Sequence, residues 1–423
     1  MVRESQESLV VGLVNNILLE AIQSRTSDIH VETNEQEISI RYRTDGVLIP
    51  QPISAEIRES AVMIVSRLKV MANLDITERR LPQDGRIALK TGGRDIDIRV
   101  SCIPSLYGEG IVMRILDKSS MKFSLRGLGM SAGNYEVFSN LIRLPHGLIL
   151  ITGPTGSGKT TTLYSALTVI NKPGMKIVTA EDPVEYRLEG ISQIQINEKI
   201  GLTFASLLRR ILRHDPDVVL VGEMRDLETI EIALQAAMTG HLVFSTLHTN
   251  DAAGAYTRLL AQKVEPFLVS SCIDAVVAQR LVRNLCPHCK EAYIPGPGEV
   301  PDDFPMEMLQ GQQNAAIRHV LKGVGTPDGK IYRSAGCAHC RNIGYRGRSG
   351  VYELLISSDR VRELIERNAT AWEIKRTAIQ EGMLTLRMDG WRKVLAGETS
   401  VEEVVRVTKP DTVLMRPESL SVN

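Results

Sequence analysis

The chain has 423 residues, enough for two or three domains of about 100–200 residues each. Basic and acidic residues balance at 50 each and aromatic residues make up only 4%, which argues against a surface that holds nucleic acid by charge and base stacking. No apolar run reaches the roughly 20 residues of a membrane span, and the opening Met1-Val2-Arg3-Glu4-Ser5 lacks the core of a signal peptide, so a cytoplasmic protein is expected, reaching any membrane through a partner.

Leu9, Val10, Leu13, Val14, Ile17 and Leu18 recur at helical spacing. Ile29–Glu32 and Ile38–Arg43 alternate like strands, and Thr44-Asp45-Gly46 reads as a turn. Ala61–Met71 is again helical. Arg86–Lys90 and Asp95–Val100 alternate around Gly92-Gly93, a hairpin signal, and Ile111–Leu116 is a further strand. Residues 1–117 therefore read as a small α+β domain, followed by a polar linker over 118–125.

From residue 126 to 423 the pattern is α/β. Leu148–Thr152, Lys176–Thr179, Val218–Val221 and Leu242–Ser245 are short apolar strands separated by helical segments, which predicts a parallel sheet with helices on both faces. Pro295–Pro305 is rich in Pro, Gly and Asp. Over 355–423 the chain reads as helices at Val361–Arg367, Trp372–Gln380, Leu384–Leu395 and Val401–Val407.

Between the first of these strands and a helix lies Gly153-Pro154-Thr155-Gly156-Ser157-Gly158-Lys159-Thr160-Thr161. Strand, G-x-x-x-x-G-K-T and helix together are a phosphate-binding loop. Its glycines let backbone N–H groups close around phosphate oxygens, at a helix N-terminus that favours anions. Lys159 is placed for the β- and γ-phosphates and the Thr160 hydroxyl for Mg²⁺. Glu181-Asp182-Pro183-Val184-Glu185 puts three carboxylates at the end of a strand, where a parallel sheet meets its ligand. Asp217–Glu223 resembles a Walker B strand, with Gly222 where an Asp is usual and Glu223 after it. His241 and His248 flank a strand of the same sheet, and His248 is placed to sense a γ-phosphate.

Six cysteines are present: Cys102 and Cys272 stand alone, and four form the pairs Cys286-Pro287-His288-Cys289 and Cys337-Ala338-His339-Cys340. In a reducing compartment two such knuckles favour a tetrahedral zinc site over disulfides, the metal closing the long segment 290–336. His288 and His339 remain alternative ligands, but four thiolates are the simpler set. Arg99 and Arg114, expected at strand ends of the first domain, and Arg209, Arg210 and Arg213 before the Walker B strand are candidates to clamp phosphate charge.

In order and spacing these residues resemble the secretion ATPase superfamily, specifically the type II secretion and type IV pilus assembly ATPases. The resemblance runs almost end to end, through Ser27-Asp28-Ile29-His30, Arg41–Gly46, Leu81–Arg86, the phosphate loop, Glu181–Glu185, Leu212–Asp217, Val221–Asp226, Ser245–Asn250, the cysteine pairs with Gly344-Tyr345-Arg346-Gly347-Arg348, and Leu384–Arg387.

The resemblance implies a PAS-like first domain, a RecA-like ATPase domain with the 286–340 zinc module inserted, and a homo-hexameric ring binding ATP between its two domains. It implies ATP, Mg²⁺ and Zn²⁺ as cofactors, with Glu181 and Asp182 at the nucleotide and Glu185 activating water. It makes Glu223 the Walker B glutamate, puts His241 and His248 in a histidine box, and has Arg99, Arg114, Arg209 and Arg213 complete the site. The expected partners are an inner-membrane platform protein and a cytoplasmic domain of the machinery, with membrane association indirect and no nucleic acid. The zinc module marks the assembly and secretion branch, since pilus retraction ATPases lack it. Members of the branch usually carry a docking region ahead of the domain with which this chain opens, so a truncated or naturally short member is expected. The competing classes are a retraction ATPase, a DNA-translocating motor and a zinc scaffold with a vestigial nucleotide site.

Overall fold

The computed structural model describes residues 2–35, 37–117, 123–296, 298–309 and 329–411, with side chains from residue 8 onward and excepting that of residue 308. The chain divides into two compact units, Met1–Lys122 and Phe123–Asn423. Of the predicted linker, residues 118–122 lie outside the described residues. Its last part does not act as a linker: Phe123 and Leu125 pack into a core of the second unit.

The first unit is built on a six-stranded antiparallel sheet in the order β3-β2-β1-β6-β5-β4. The strands are β1 (Thr26–Thr33), β2 (Ile38–Thr44), β3 (Val47–Pro50), β4 (Gln83–Thr91), β5 (Arg94–Ser105) and β6 (Gly108–Asp117). Alternation sends Ile29, Val31, Ile40, Ile98, Val100, Ile111 and Met113 to one face. There they meet Val14, Ile17 and Leu18 of the helix Val2–Gln23 and Ile64, Val65 and Leu68 of the helix Ala61–Met71. Burying this face is the main source of the unit's stability. One charge goes inside with it: Lys69 is buried and donates to Glu109 at 2.6 Å and to the Glu78 carbonyl at 2.7 Å.

In the second unit the main strands are β7 (Gly147–Thr152), β8 (Ile177–Glu181), β9 (Ser192–Gln195), β10 (Val218–Val221), β11 (Leu242–Leu247) and β12 (Ile273–Leu285). To these are added the short β13 (Glu291–Tyr293) and β14 (Ile331–Arg333), and the long β15 (Tyr345–Ile356). Seven of them form one sheet in the order β15-β12-β7-β11-β10-β8-β9. All neighbours are parallel except β15, which runs antiparallel to β12 at the edge. Sequence reading found the central strands and missed β9, β12 and β15.

Period-two alternation splits the side chains between two cores. Leu148, Leu150, Val219 and Val221 face the helices Phe204–Ile211, Leu227–Met238 and Ala253–Ala261. Ile149, Ile151, Val218 and Leu220 face the helices Ala132–Leu141 and Lys159–Ile170. A sheet buried on both sides cannot afford polar interruptions, which is why its strands read as unbroken apolar runs.

The C-terminal helices fall at Asp359–Glu366, Ala371–Gln380, Leu386–Leu395 and Val401–Val407, close to the predicted ranges; residues 412–423 lie outside the described residues. A small core of Phe304, Leu309, Ile331, Trp391, Val394 and Val404 joins the cysteine-bearing insert to them. Among the described residues no helix is long and apolar enough to cross a membrane.

Candidate functional site

The phosphate loop turns out of the buried end of β7. Gly156 and Gly158 take φ of 78° and 90°, values that strain any residue with a Cβ. Gly153 is required by space as well: a Cβ there would meet the Gln279 carbonyl oxygen and the Ser157 hydroxyl, each at 2.6 Å. The helix Lys159–Ile170 begins where the loop ends, so its free N–H groups open onto the loop. Thr155 and Thr160 are exposed at this mouth.

β12 is the seat of the loop. Gln279 donates to the Ser157 carbonyl at 2.7 Å and accepts from the Thr162 hydroxyl at 2.8 Å. Arg280 donates to the Asn250 carbonyl at 2.8 Å, tying the loop's neighbourhood to the segment after β11. Thr152 and Thr249 make a second tie, the Thr249 N–H donating to the Thr152 hydroxyl at 2.8 Å.

Lys159 donates to the loop carbonyls of Gly153 at 2.7 Å and Pro154 at 3.3 Å. Burial lowers its pKa to about 8, against the opposing pull of Glu223. Glu223 stands just past β10, mostly buried, with its carboxylate between two partners: Arg225 at 2.5 Å and His248 at 3.4 Å. Gly222 explains the departure from the usual Walker B acid. A Cβ at this position would press on the Ala180 carbonyl oxygen at 3.2 Å and the Glu181 Cα at 3.4 Å, so an Asp here would push β8 and β10 apart by a few tenths of an ångström. Glu223, one residue on, is the first acid that clears the sheet.

Lys159, Thr160, Glu223 and His248 therefore gather at the C-terminal ends of β7, β10 and β11. That is where an open parallel sheet binds its ligand. Asp182 and Glu185 lie on the loop leaving the neighbouring β8, Asp182 exposed and Glu185 half-buried. Glu181 differs from expectation. Its carboxylate turns into the core, where it accepts from Thr179 at 2.5 Å, Gln193 at 3.0 Å and the Tyr164 hydroxyl. With three donors satisfied inside, it faces away from the crevice.

Three expected site residues of the second unit stand elsewhere. His241 precedes β11, at the opposite end of that strand from His248, and its Nδ1 lies 3.0 Å from the Ala236 carbonyl. Arg213 is exposed near the starts of β8 and β10, again away from the crevice, because the helix before β10 runs back down the sheet. Arg209 is exposed on that helix and pairs with Glu228. Arg99 and Arg114 sit within β5 and β6 rather than at strand ends, directly opposite one another in the register; Arg114 bonds Asp28 at 2.9 Å. Sequence reading missed Gln279 and Arg280. The signal was there: both interrupt an apolar strand just after the run Ala275–Ala278.

The four paired cysteines form a separate centre. β13 pairs antiparallel with β14 and so brings the knuckles together. Their sulfurs lie within 4.8 Å of one another, with Cys286–Cys337 at 3.9 Å, Cys289–Cys340 at 3.7 Å and Cys337–Cys340 at 3.8 Å. A tetrahedral ion with bonds of about 2.3 Å needs sulfurs roughly 3.8 Å apart, so the donor set fits zinc. Backbone N–H groups are aimed at the sulfurs, from Gly336 to Cys289 at 3.3 Å and from Gly344 to Cys340 at 3.2 Å. Burial opposes ionisation of Cys340, yet the N–H donors of Cys337 and Gly344 outweigh it and hold the thiol near 7. His288 and His339 stack on each other, ring centroids 4.2 Å apart, and fall outside the ligand cluster.

Residues 3–406 match the family described as "Type II/IV secretion system protein". The type II secretion system protein E of Pseudomonas aeruginosa is 50% identical over 411 residues, 97% of this chain and 78% of that protein. The type IV pilus assembly ATPase PilB of Myxococcus xanthus is 48% identical over 419 residues, covering 97% and 70%. Among solved structures, the pilus retraction motor PilT with bound ADP superposes with a TM-score of 0.59 at 25% identity, covering 95% of this chain and 98% of that one.

Proposed function

The chain belongs to the type II/IV secretion system protein family, and from that premise we propose that it is a motor that hydrolyses ATP to drive assembly of pilin or pseudopilin subunits. It is an ATP-hydrolysing enzyme of secretion or pilus assembly. The observation that carries the reading is the convergence of Lys159, Glu223 and His248 at the mouth of a glycine loop of the right geometry. The four-cysteine centre favours the assembly and secretion branch over retraction. The balanced charge speaks against a DNA-translocating motor.

In this reading the phosphate loop and Lys159 hold the β- and γ-phosphates. Mg²⁺, when bound, neutralises charge developing on the transferred group; Thr160 and Glu223 are the residues to hold it. Glu185 takes the proton of the attacking water, and His248, touching Glu223, reports whether the γ-phosphate is present. Arg99 and Arg114 supply positive charge to the transition state. The working form is a homo-hexamer in the cytoplasm. It acts on an inner-membrane platform protein and docks on a cytoplasmic domain of the machinery.

Two substitutions separate the glutamates. Glu185→Gln is expected to bind ATP with Mg²⁺ and to turn over at least about 10²-fold more slowly, the cost of removing a positioned base. Glu223→Gln is expected instead to raise the Mg²⁺ concentration needed for half-maximal turnover. Normal turnover in Glu185→Gln beside trapped ATP in Glu223→Gln reverses the assignment. Arg114→Ala tests the first unit's part: turnover should fall more than nucleotide binding, measured side by side with oligomer mass at matched concentration. Full turnover in that variant removes the arginines from the mechanism.

A further inference from the structure

The inward-facing Glu181 belongs to a network that reaches the loop bearing Glu185. Tyr164 lies on the helix Lys159–Ile170, five residues beyond Lys159. Its hydroxyl donates to Glu181 and accepts from Gln193 Nε2 at 3.3 Å. Gln193 of β9 completes the tie. Its Nε2 donates to Glu181 and to the Tyr186 carbonyl, each at 3.0 Å, and its Oε1 accepts from the Leu188 N–H at 2.7 Å. The Phe123 ring packs edge-on against Tyr164 at 5.3 Å and Tyr186 at 5.8 Å, closing the cluster from one side. Every polar group here is buried or half-buried and partnered, so the arrangement is held rather than sampled.

We propose that the Tyr164 hydroxyl is a positioning group for ATP hydrolysis: it fastens the Glu185 loop to the helix that starts at the phosphate loop, and so fixes the base relative to the γ-phosphate. The proposal rests on the assignment of Glu185 as the base. The physical need is plain. Lys159 and Glu185 come from different strand ends, separated in the sheet by β11 and β10. A base displaced by about 1 Å can lose on the order of 10²-fold in rate, so their separation must be set by something stiffer than a loop. A single helix carries both the phosphate-binding lysine and the phenol that Gln193 ties to Tyr186, next to the base.

Tyr164→Phe removes one oxygen and keeps the ring on Phe123. The expected result is a kcat lowered at least about 10-fold with KM for ATP and nucleotide affinity unchanged. A structural defect would instead lower the active fraction or raise KM. Placed on Glu185→Gln, Tyr164→Phe should cause no further loss, because it acts through the group already removed. Wild-type kcat in Tyr164→Phe beside a slow Glu185→Gln overturns the positioning role and leaves the base assignment standing. A loss that multiplies in full in the double variant overturns it too. Normal turnover in Glu185→Gln overturns the premise, and this proposal with it. Should Tyr164→Phe not fold, Gln193→Leu on the edge strand β9 cuts the second tie and must show the same fall in kcat at constant KM.

Discussion

Lys159→Ala is expected to lower ATP turnover by about 10²–10³-fold or more, the scale on which a preorganised charge at a transition state acts. Lys159 is the one cation within the phosphate loop, and no neighbour replaces it: Arg280 is committed to the Asn250 carbonyl, and Arg225 to Glu223. The fold should survive, since the lysine bonds only two loop carbonyls, one of them exposed. The same residue predicts a pH effect. Burial holds its pKa near 8 before phosphate arrives, and binding needs the charged form. Nucleotide affinity should therefore be flat below about pH 8 and fall as pH rises beyond it, with a proton taken up on binding in that range. Stability runs the other way, because the charged lysine is the form that burial penalises. Calorimetry in two buffers of different ionisation heat, with turnover of the purified variant, checks both. Near-normal hydrolysis by Lys159→Ala would sink the assignment of the phosphate site.

If the cysteine centre holds one zinc ion per chain, as proposed, Cys337→Ser is expected to lose it and to lower the melting temperature by roughly 5 °C or more. The argument is one of closure. The two knuckles are joined by a long insert, and the short β13–β14 pair has only three residues on each side to hold them together. Four thiolates around one ion do what that small sheet cannot. The centre also sits far from the chemistry: six residues of β12 lie between Gln279 and Cys286, about 23 Å of extended chain. With all four ligand positions taken by protein there is no open site for substrate. Elemental analysis and melting curves, each with and without a chelator, test this. Absence of zinc from the native protein, or Cys-to-Ser variants with unchanged melting, would refute it.

The central sheet was legible because burial on both faces leaves a continuous apolar run, and no other short pattern reads that way. The phosphate loop was legible because its glycines answer to geometry that no other residue meets. β12 was not. It follows the helix Pro266–Cys272 without a turn residue between them, and Gln279, Arg280 and Arg283 break its apolar run where it passes under the phosphate loop and toward Glu403. β15 hides behind Arg346-Gly347-Arg348, which reads as a loop. Its pairing depends on β12, more than sixty positions away at the Ala275↔Ile356 end, and no local signal carries that. The same blindness affected single residues. An acid at a strand's last position faces either the crevice or a core, and only the pleat decides which. Glu181 goes to the core, and Asp182 beside it is exposed. His241 and His248 share one motif in the sequence, but a six-residue strand puts them at opposite ends of the sheet.

β12 supplies the phosphate loop's seat, and it comes late. A ribosome delivers β7, β8, β10 and β11 well before it delivers Gln279, and β12 gains its outer partner only when Ile356 has emerged. Through that interval the growing chain has a glycine loop with nothing beneath it and an open flank on β7. Pairings that span so much chain close slowly. Domains tend to be completed in the order they are made. The first unit can therefore be finished while the second is still unable to grip a nucleotide, and capacity for ATP arrives only once Ile356 has emerged.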